Sequence, residues 1–382
     1  MTPIPSEFDY LIIEQFDPLV SLPGGVETVI RGILKYAPAD KRIGVVGVDS
    51  RTSPNRAMLG QWKEVQIGGN TIWFLPVCRI SRGTSKRLIP HSLRLAIGTI
   101  RHRRSIRPSI EIHTHREGLA AFARLAWPSD YHRYFIHTQD GGSISQSSDS
   151  LWRKAARAQR LIQQLAVRKA DRVHVFNPAY TDVLRNWNKT ARFSPTWWDP
   201  DTTPQRKSEV EPYSVLWAGR LEVPKDPQLA VATFKWLRAT YPNEPWTLTM
   251  VGSGSLMDEL ETMISSQGLA NIVRLLGSRE VAALGFIRSL HKTMLMTSSP
   301  GYEGFPMVLV EGLAAGLPAV VTDGSDTGCL IRTGLNGYVC PACPSMLGEA
   351  LRDALKLLPE EAVASVAALS APVVIDKLFN DD

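Results

Sequence analysis

The chain has 382 residues, 44% of them hydrophobic and 21% charged, with a formal net charge of +6; this excludes a disordered or collagen-like chain and leaves room for two domains of ordinary size. Four cysteines, Cys78, Cys329, Cys340 and Cys343, are too few for a disulfide scaffold. The charge is uneven: residues 70–195 hold 22 Lys/Arg against 7 Asp/Glu, and the remainder 21 against 30. The basic part suits an anionic partner (a nucleic acid, a phosphorylated ligand or an anionic lipid surface) or simply a well-solvated surface.

The first residues, MTPIPSEFDYLIIEQF, have no basic start and no long apolar run, so they do not read as a signal peptide. No stretch approaches the roughly 18 apolar residues that span a bilayer. These features predict a cytoplasmic protein whose membrane contact, where it has one, is peripheral at the inner face of the cytoplasmic membrane.

Strand-like runs at 10–16, 42–48, 71–76, 109–114, 133–137 and 172–177 alternate with helix-like runs at 26–36, 116–126, 150–168 and 179–187. Most of the strand runs are apolar throughout, as in a parallel sheet covered on both faces. Gly24-Gly25 opens the first helix, leaving free amides beyond a strand end, although a tight turn needs the same glycines. The stretch 82–108 mixes Leu88, Leu93, Leu95, Ile97 and Ile100 with many arginines. It suits an interfacial segment on an anionic membrane or a core-facing helix with a charged outer face. His113 and His115 end the fourth strand on one face. His137, Gln139 and Asp140 follow the fifth.

At 194–214 four prolines break the alternation and read as a linker. Strands are then predicted at 215–218, 246–251, 272–276, 293–297, 319–322 and 337–340, and helices at 226–240, 255–267, 280–290, 305–315 and 345–358. Arg220 and Lys225 stand just beyond the first of these strands. A guanidinium fork and a point charge at that spacing can grip a diphosphate, and two solvated cations give the same pattern. Gly252 and Gly254 form a strand–helix turn, but Met257 stands where a dinucleotide fingerprint needs a third glycine. In PGYEGFPMVLVEGLAAGLP, residues 300–318, Glu303 precedes a helix whose first turn suits Pro306. The amides of Gly304, Phe305, Met307 and Val308 lie at its N-terminus, a ready anion site. Glu311 follows two turns in, between apolar neighbours. Two carboxylates flanking such a site can each accept from sugar hydroxyls. Cys340-Pro-Ala-Cys343 lacks the second ligand pair of a zinc site.

The ordered set GRLEVPK, VGSGS and EGFPMVLVEGLAAGLPAVVTD resembles the GT-B glycosyltransferases of family 4, whose signature is E-x7-E; the resemblance covers about 215–340. It implies an α/β GT-B fold, two Rossmann-like doubly wound domains facing a central cleft. Residues 1–200 would bind the acceptor, 201–213 would link, 214–360 would bind a nucleotide sugar, and 361–382 would return to the first domain. It implies a retaining, metal-independent hexosyltransferase with no cofactor, acting on a lipid-linked or cell-surface glycan precursor and not on nucleic acid. By resemblance, Glu311 holds the ribose, Glu303 the donor sugar, and Arg220 and Lys225 the diphosphate. Gly252 and the loop Gly277-Ser278-Arg279 approach the nucleotide, the loop contacting its base. Gly24-Gly25 lies near the diphosphate, and His115 reaches the donor sugar in preference to His113. His113, His137, Gln139 and Asp140 are the candidate acceptor contacts. Asp199-Pro-Asp201 looks like the metal-binding D-x-D of another glycosyltransferase fold, but it lies in the linker. Arg220, Lys225 and helix amides can neutralise a leaving diphosphate without a metal. A non-catalytic scaffold that binds a nucleotide or glycan, and a sugar-nucleotide epimerase, are the alternatives.

Overall fold

The computed structural model describes residues 3–20, 24–50, 58–80, 91–137 and 156–380. The chain divides into two units, Met1–Ser194 with Ile375–Asp382, and Pro195–Val374.

The first unit is built on an eight-stranded sheet: β1 (Phe8–Ile13), β2 (Ile43–Asp49), β3 (Lys63–Ile67), β4 (Asn70–Arg79), β5 (Ser109–Thr114), β6 (Tyr131–Ile136), β7 (Arg172–Val175) and β8 (Ala191–Phe193). Their order is β3-β4-β2-β1-β5-β6-β7-β8, and every pair is parallel except β3 with β4. The β3–β4 hairpin was not expected. Its signal is Gly68-Gly69, a two-residue turn in which Gly68 takes φ +60° and Ile67 pairs with Asn70. Helices Gly25–Tyr36, His91–Arg101, Glu117–Ala126, Ala156–Lys169 and Pro178–Arg185 connect the strands. The expected helix 150–168 is seen from Ala156 onward; its first six residues lie outside the described ones.

The second unit carries a six-stranded parallel sheet: β9 (Ser214–Ala218), β10 (Thr247–Val251), β11 (Val273–Leu275), β12 (Thr293–Met296), β13 (Ala319–Thr322) and β14 (Gly337–Cys340). Its order is β11-β10-β9-β12-β13-β14. The order reverses at β9 and β12, and ligands of such sheets gather beyond the carboxyl ends of strands at that point. The core packs Val215, Trp217, Phe234, Leu248, Met250, Leu295 and Val320, all nearly inaccessible. Segment 201–213 lies within this unit. Gln205 Nε2 donates to Ala314 O at 2.7 Å, Arg206 N to Ala315 O at 2.6 Å and Lys207 N to Ser289 O at 3.0 Å.

The last helix is Ala371–Asn380, and its residues from Ile375 belong to the first unit. The Arg133 guanidinium is the anchor there: Nη1 donates to Leu378 O at 2.5 Å, satisfying a carbonyl of the last helical turn. Among the described residues no helix is long and apolar enough to cross a membrane.

Candidate functional site

In the second unit, β9 ends in an apolar run and releases the chain at Gly219-Arg220. The loop then makes one 3-10 turn, Val223–Lys225, and enters helix Pro227–Thr240 through Asp226. Asp226 sits in the left-handed region at φ 43°, ψ 57°, and its carboxylate accepts from Leu229 N at 3.1 Å. An aspartate tolerates that backbone and caps the helix at once. Just past β12, Thr297 staples the loop in place. Its hydroxyl accepts from Trp217 Nε1 at 2.9 Å and donates towards Lys225 O and Asp226 O, each at 2.8 Å. Ser299 N donates to Pro224 O at 2.8 Å. The ends of β9 and β12 are therefore one rigid assembly.

That assembly brings four residues together. Glu303 Oε1 accepts from Lys225 Nζ at 2.5 Å and from the buried Ser298 Oγ at 2.5 Å. The Arg220 guanidinium donates to the Tyr302 hydroxyl, and both cations lie near the Tyr302 ring, at 6.0 Å for Arg220 and 5.6 Å for Lys225. Arg220 is exposed while Glu303 is buried. Tyr302 and Ser298 were not singled out from sequence; their signal was adjacency to Glu303 and position at the end of β12.

The helix after Glu303 runs Met307–Ala314, starting two residues later than expected, because Pro306 is extended (ψ 107°) and serves as its N-cap. The first helical hydrogen bonds run from Leu309 N and Val310 N to Pro306 O, at 3.0 and 3.2 Å. The amides of Met307 and Val308 precede them, as an anion site requires. Gly304 and Phe305 are tied down: Thr327 Oγ1 donates to Gly304 O, and Thr196 Oγ1 donates to Phe305 O at 3.2 Å. The Phe305 ring is a buried wedge, and a Cβ on Gly328 would lie 2.3 Å from it. Glu311 pairs with Arg288 of helix Val281–Ser289. Burial raises the Glu311 carboxyl above its ordinary range, Arg288 opposes that, and Asp199 adds to it.

Gly252 and Gly254 have a role in packing. A Cβ on Gly252, at φ +148°, would fall 1.8 Å from Gly219 O, and one on Gly254 would fall 2.2 Å from Leu221 O. The turn lies directly against the loop that carries Arg220, and Ser255 clamps Glu222 through N and Oγ at 3.1 and 2.7 Å. The glycines thus serve backbone against backbone. Ser278 and Arg279 are exposed, and Gly277 O accepts from Gly252 N at 3.0 Å, so this loop belongs to the same assembly.

In the first unit, Gly24 caps helix Gly25–Tyr36 with no side-chain bond, and both Gly24 and Gly25 are exposed, with open space around a Cβ at either position. His113 and His115 do share one face of β5, but their surroundings differ. His113 is sealed in the core, against Tyr10 at 5.1 Å and Phe135 at 5.3 Å, with Nε2 on Glu111 Oε1 at 2.6 Å. It has no surface from which to meet an acceptor, which corrects that expectation: a strand-end alternation places it one step too deep. His115 stacks on Phe135 at 4.7 Å and joins Nδ1 to His137 Nε2 at 2.8 Å. Burial, then Arg116, pushes His137 down to about 3, and burial drives His115 well below its ordinary value, so both rings are neutral at pH 7. His115 Nε2 is buried and meets no partner among the described residues. Arg116 Nε donates to Glu14 Oε1 at 2.7 Å beside them. Gln139 and Asp140 lie outside the described residues.

Residues 200–367 match the family model described as "Glycosyl transferases group 1". The glycogen synthase of Mycobacterium tuberculosis is 26% identical over 267 residues, covering 66% of this chain and 61% of that protein. The chain thus spans about three-fifths of the length of that curated relative. Among solved structures, sucrose-phosphate synthase from Thermosynechococcus elongatus superimposes with a TM-score of 0.74 at 16% identity, covering 97% of this chain and 96% of that one. HepE of Anabaena in complex with UDP-glucose gives 0.69 at 15% identity, covering 98% and 99%. The fold is that of the GT-B glycosyltransferases.

Proposed function

We propose that the protein is a glycosyltransferase of the E-x7-E, family 4 type, taking a sugar from a nucleotide-sugar donor held by the second unit. The observation that carries this reading is the convergence of Arg220, Lys225, Tyr302 and Glu303 beyond β9 and β12, on the loop that leads into helix Met307–Ala314. Arg220, Lys225 and the amides of Met307 and Val308 supply positive charge for a departing diphosphate, so the reaction is read as metal-independent and without a cofactor. Glu303 already accepts from Lys225 and Ser298, which suits a hydroxyl contact and not a nucleophile. The reaction is read as retaining. The bond from the anomeric carbon to the diphosphate oxygen breaks through an oxocarbenium-like sugar, and the acceptor oxygen bonds on the same face. The acceptor's proton passes to the departing diphosphate. The neutral His115–His137 pair and the amides of Gly24-Gly25 are assigned to the sugar and acceptor. The similar structure that holds UDP-glucose makes UDP-sugars the first donors to test. A panel of UDP-, GDP- and ADP-sugars, followed for transfer and hydrolysis, tests the reading. Product formation without acceptor would identify an epimerase instead, and binding without turnover a scaffold.

A second observation bears on the acceptor and the location. Helix His91–Arg101 buries Leu95, Ala96, Gly98 and Thr99 and leaves Leu93, Ile97 and Ile100 exposed, with Arg101, Arg103 and Arg104 alongside. An apolar stripe at i, i+4, i+7 amid arginines suits shallow docking on anionic lipid. This supports a lipid-linked glycan acceptor and a peripheral position at the inner face of the cytoplasmic membrane. Co-sedimentation with phosphatidylglycerol vesicles but not phosphatidylcholine vesicles is the expected result; equal retention in the supernatant would overturn it.

A further inference from the structure

Arg288 is a surprising residue to find inside a domain. On the helix Val281–Ser289 its side chain is only 5% exposed, and it pairs with Glu311, itself 12% exposed, on the helix Met307–Ala314. A lone carboxylate in such surroundings would be costly, and so would a lone guanidinium. The contact is also one-sided: Arg288 Nη2 donates to Oε2, and among the described residues no donor reaches Oε1. An ionised carboxylate is an acceptor only, with lone pairs to spare on both oxygens, whereas its neutral form must place a proton on one of them. The groups that act on Glu311 from neighbouring elements are Arg288, which favours the anion, and Asp199, which opposes it.

We propose that Arg288 is the positioning residue of the nucleotide site: its guanidinium fixes the Glu311 carboxylate, as an anion and in one orientation, so that Oε1 accepts from the ribose hydroxyls of a bound nucleotide. The inference rests on the nucleotide-sugar reading above and deepens it. Arg288 itself does not touch the ligand; it decides the state of the group that does. Without it, burial and Asp199 act unopposed and favour the neutral acid, which accepts poorly until the pH is raised.

The test titrates UDP, GDP and ADP in turn into the full chain by calorimetry between pH 5.5 and 9, for the wild type, R288K, R288M and the double variant R288M/E311Q. For whichever nucleotide binds, R288M is expected to lose about tenfold in affinity at pH 7 and to recover toward wild type by pH 9, its profile displaced upward by about one pH unit. R288K is expected to restore the profile, since a cation remains. The double variant leaves no buried charge unpaired, so it stays folded even where R288M does not, and its binding is expected to be weak at every pH. A profile for R288M that superimposes on wild type, or a loss equal at every pH, overturns the proposal while leaving the nucleotide site intact. If R288M does not fold, a double variant that binds as wild type does overturns it equally. If none of the three nucleotides binds the wild type, the parent reading fails and this one with it.

Discussion

The two units share a strand order around their first strand and spend their polar groups in different ways. In the second, charged side chains collect beyond the carboxyl ends of β9 and β12, where Arg220 reaches solvent and the cations stand over one tyrosine ring. In the first, the charges turn inward. Arg133, 3% exposed, holds Glu111 through two nitrogens and Leu378 O through a third, while His113 donates to the same carboxylate. Burial alone would push the Glu111 carboxyl up, but His113 and Arg133 more than offset it and hold the group below its ordinary value. The strand-end cluster of the second unit therefore leaves the Arg220 cation exposed, while the Arg133 cluster of the first is spent on locking its own chain. Equivalent residue types in equivalent folds carry different weights in binding and in stability.

The sharpest way to break this contrast is at Arg133. Arg133→Met leaves Glu111 buried with one partner fewer and releases Leu378 O, and breaking a buried pair in this way costs about 3–5 kcal/mol. Urea denaturation should show that loss, while the nucleotide affinity of the folded protein stays within about twofold, or ~0.4 kcal/mol, of wild type. A weakened nucleotide site would mean that the two uses of charge are not separate. The converse change is Arg220→Ala or Lys225→Ala. Turnover should fall by about 100- to 1000-fold in either, the loss seen when one charge-stabilising donor is removed; the thermal midpoint should move by no more than about 2 °C for the exposed Arg220 and fall further for Lys225, whose loss takes a cation from the buried Glu303. Unchanged turnover in a folded variant would sink the diphosphate assignment.

These two experiments also mark where the sequence was legible. The chain pattern located β5, β13 and β14 to the residue; of the three, β13, Ala-Val-Val-Thr after Pro318, is the apolar run buried on both faces, whereas β5 carries Glu111 and His113 and β14 is half exposed. The place of Arg220 and Lys225 just past β9 was also legible, because the apolar run stops at Gly219. Arg288 was not. An arginine on an amphipathic helix normally faces water, and only the packing of one helix against another shows that this one faces a carboxylate. His113 failed in the opposite direction, since period-2 alternation gives the face of a strand but not the depth along it. The β3–β4 hairpin was available in Gly68-Gly69 and went unread because the polar Lys63–Gln66 run lacks the apolar pattern of its neighbours.

A smaller effect follows from protons. His113, His115, His137 and His174 are all held below their ordinary value by burial, so the unfolded chain takes up protons that the first unit does not. Their contribution to stability is complete above about pH 6.5 and is lost as pH falls below it, for His137 down toward about 3. The loss is about 1.4 kcal/mol per pH unit for each proton taken up. In the second unit His291 alone among the described histidines is lowered in the same way by burial, and Glu311 has the opposite sign. Its raised value means that the folded form holds its proton more readily, so acid does not destabilise it through that group. Hydrogen exchange between pH 7 and 5 should therefore show β5 and β6 losing protection before β12 and β13; simultaneous loss would tell against the comparison.

The smallest effect is the one that separates surface from core within the first unit itself. Ile97 is 46% exposed on a helix whose opposite face is buried. Ile97→Ser removes no packed contact of the core, so its cost should stay within about 0.5 kcal/mol. Phosphatidylglycerol-vesicle retention should nonetheless fall several-fold, because a shallow docked stripe of three side chains loses one of its anchors. A stability loss of 2 kcal/mol or more, the range of a core deletion, with vesicle retention unchanged, would place Ile97 in packing and remove the helix from the lipid-facing surface.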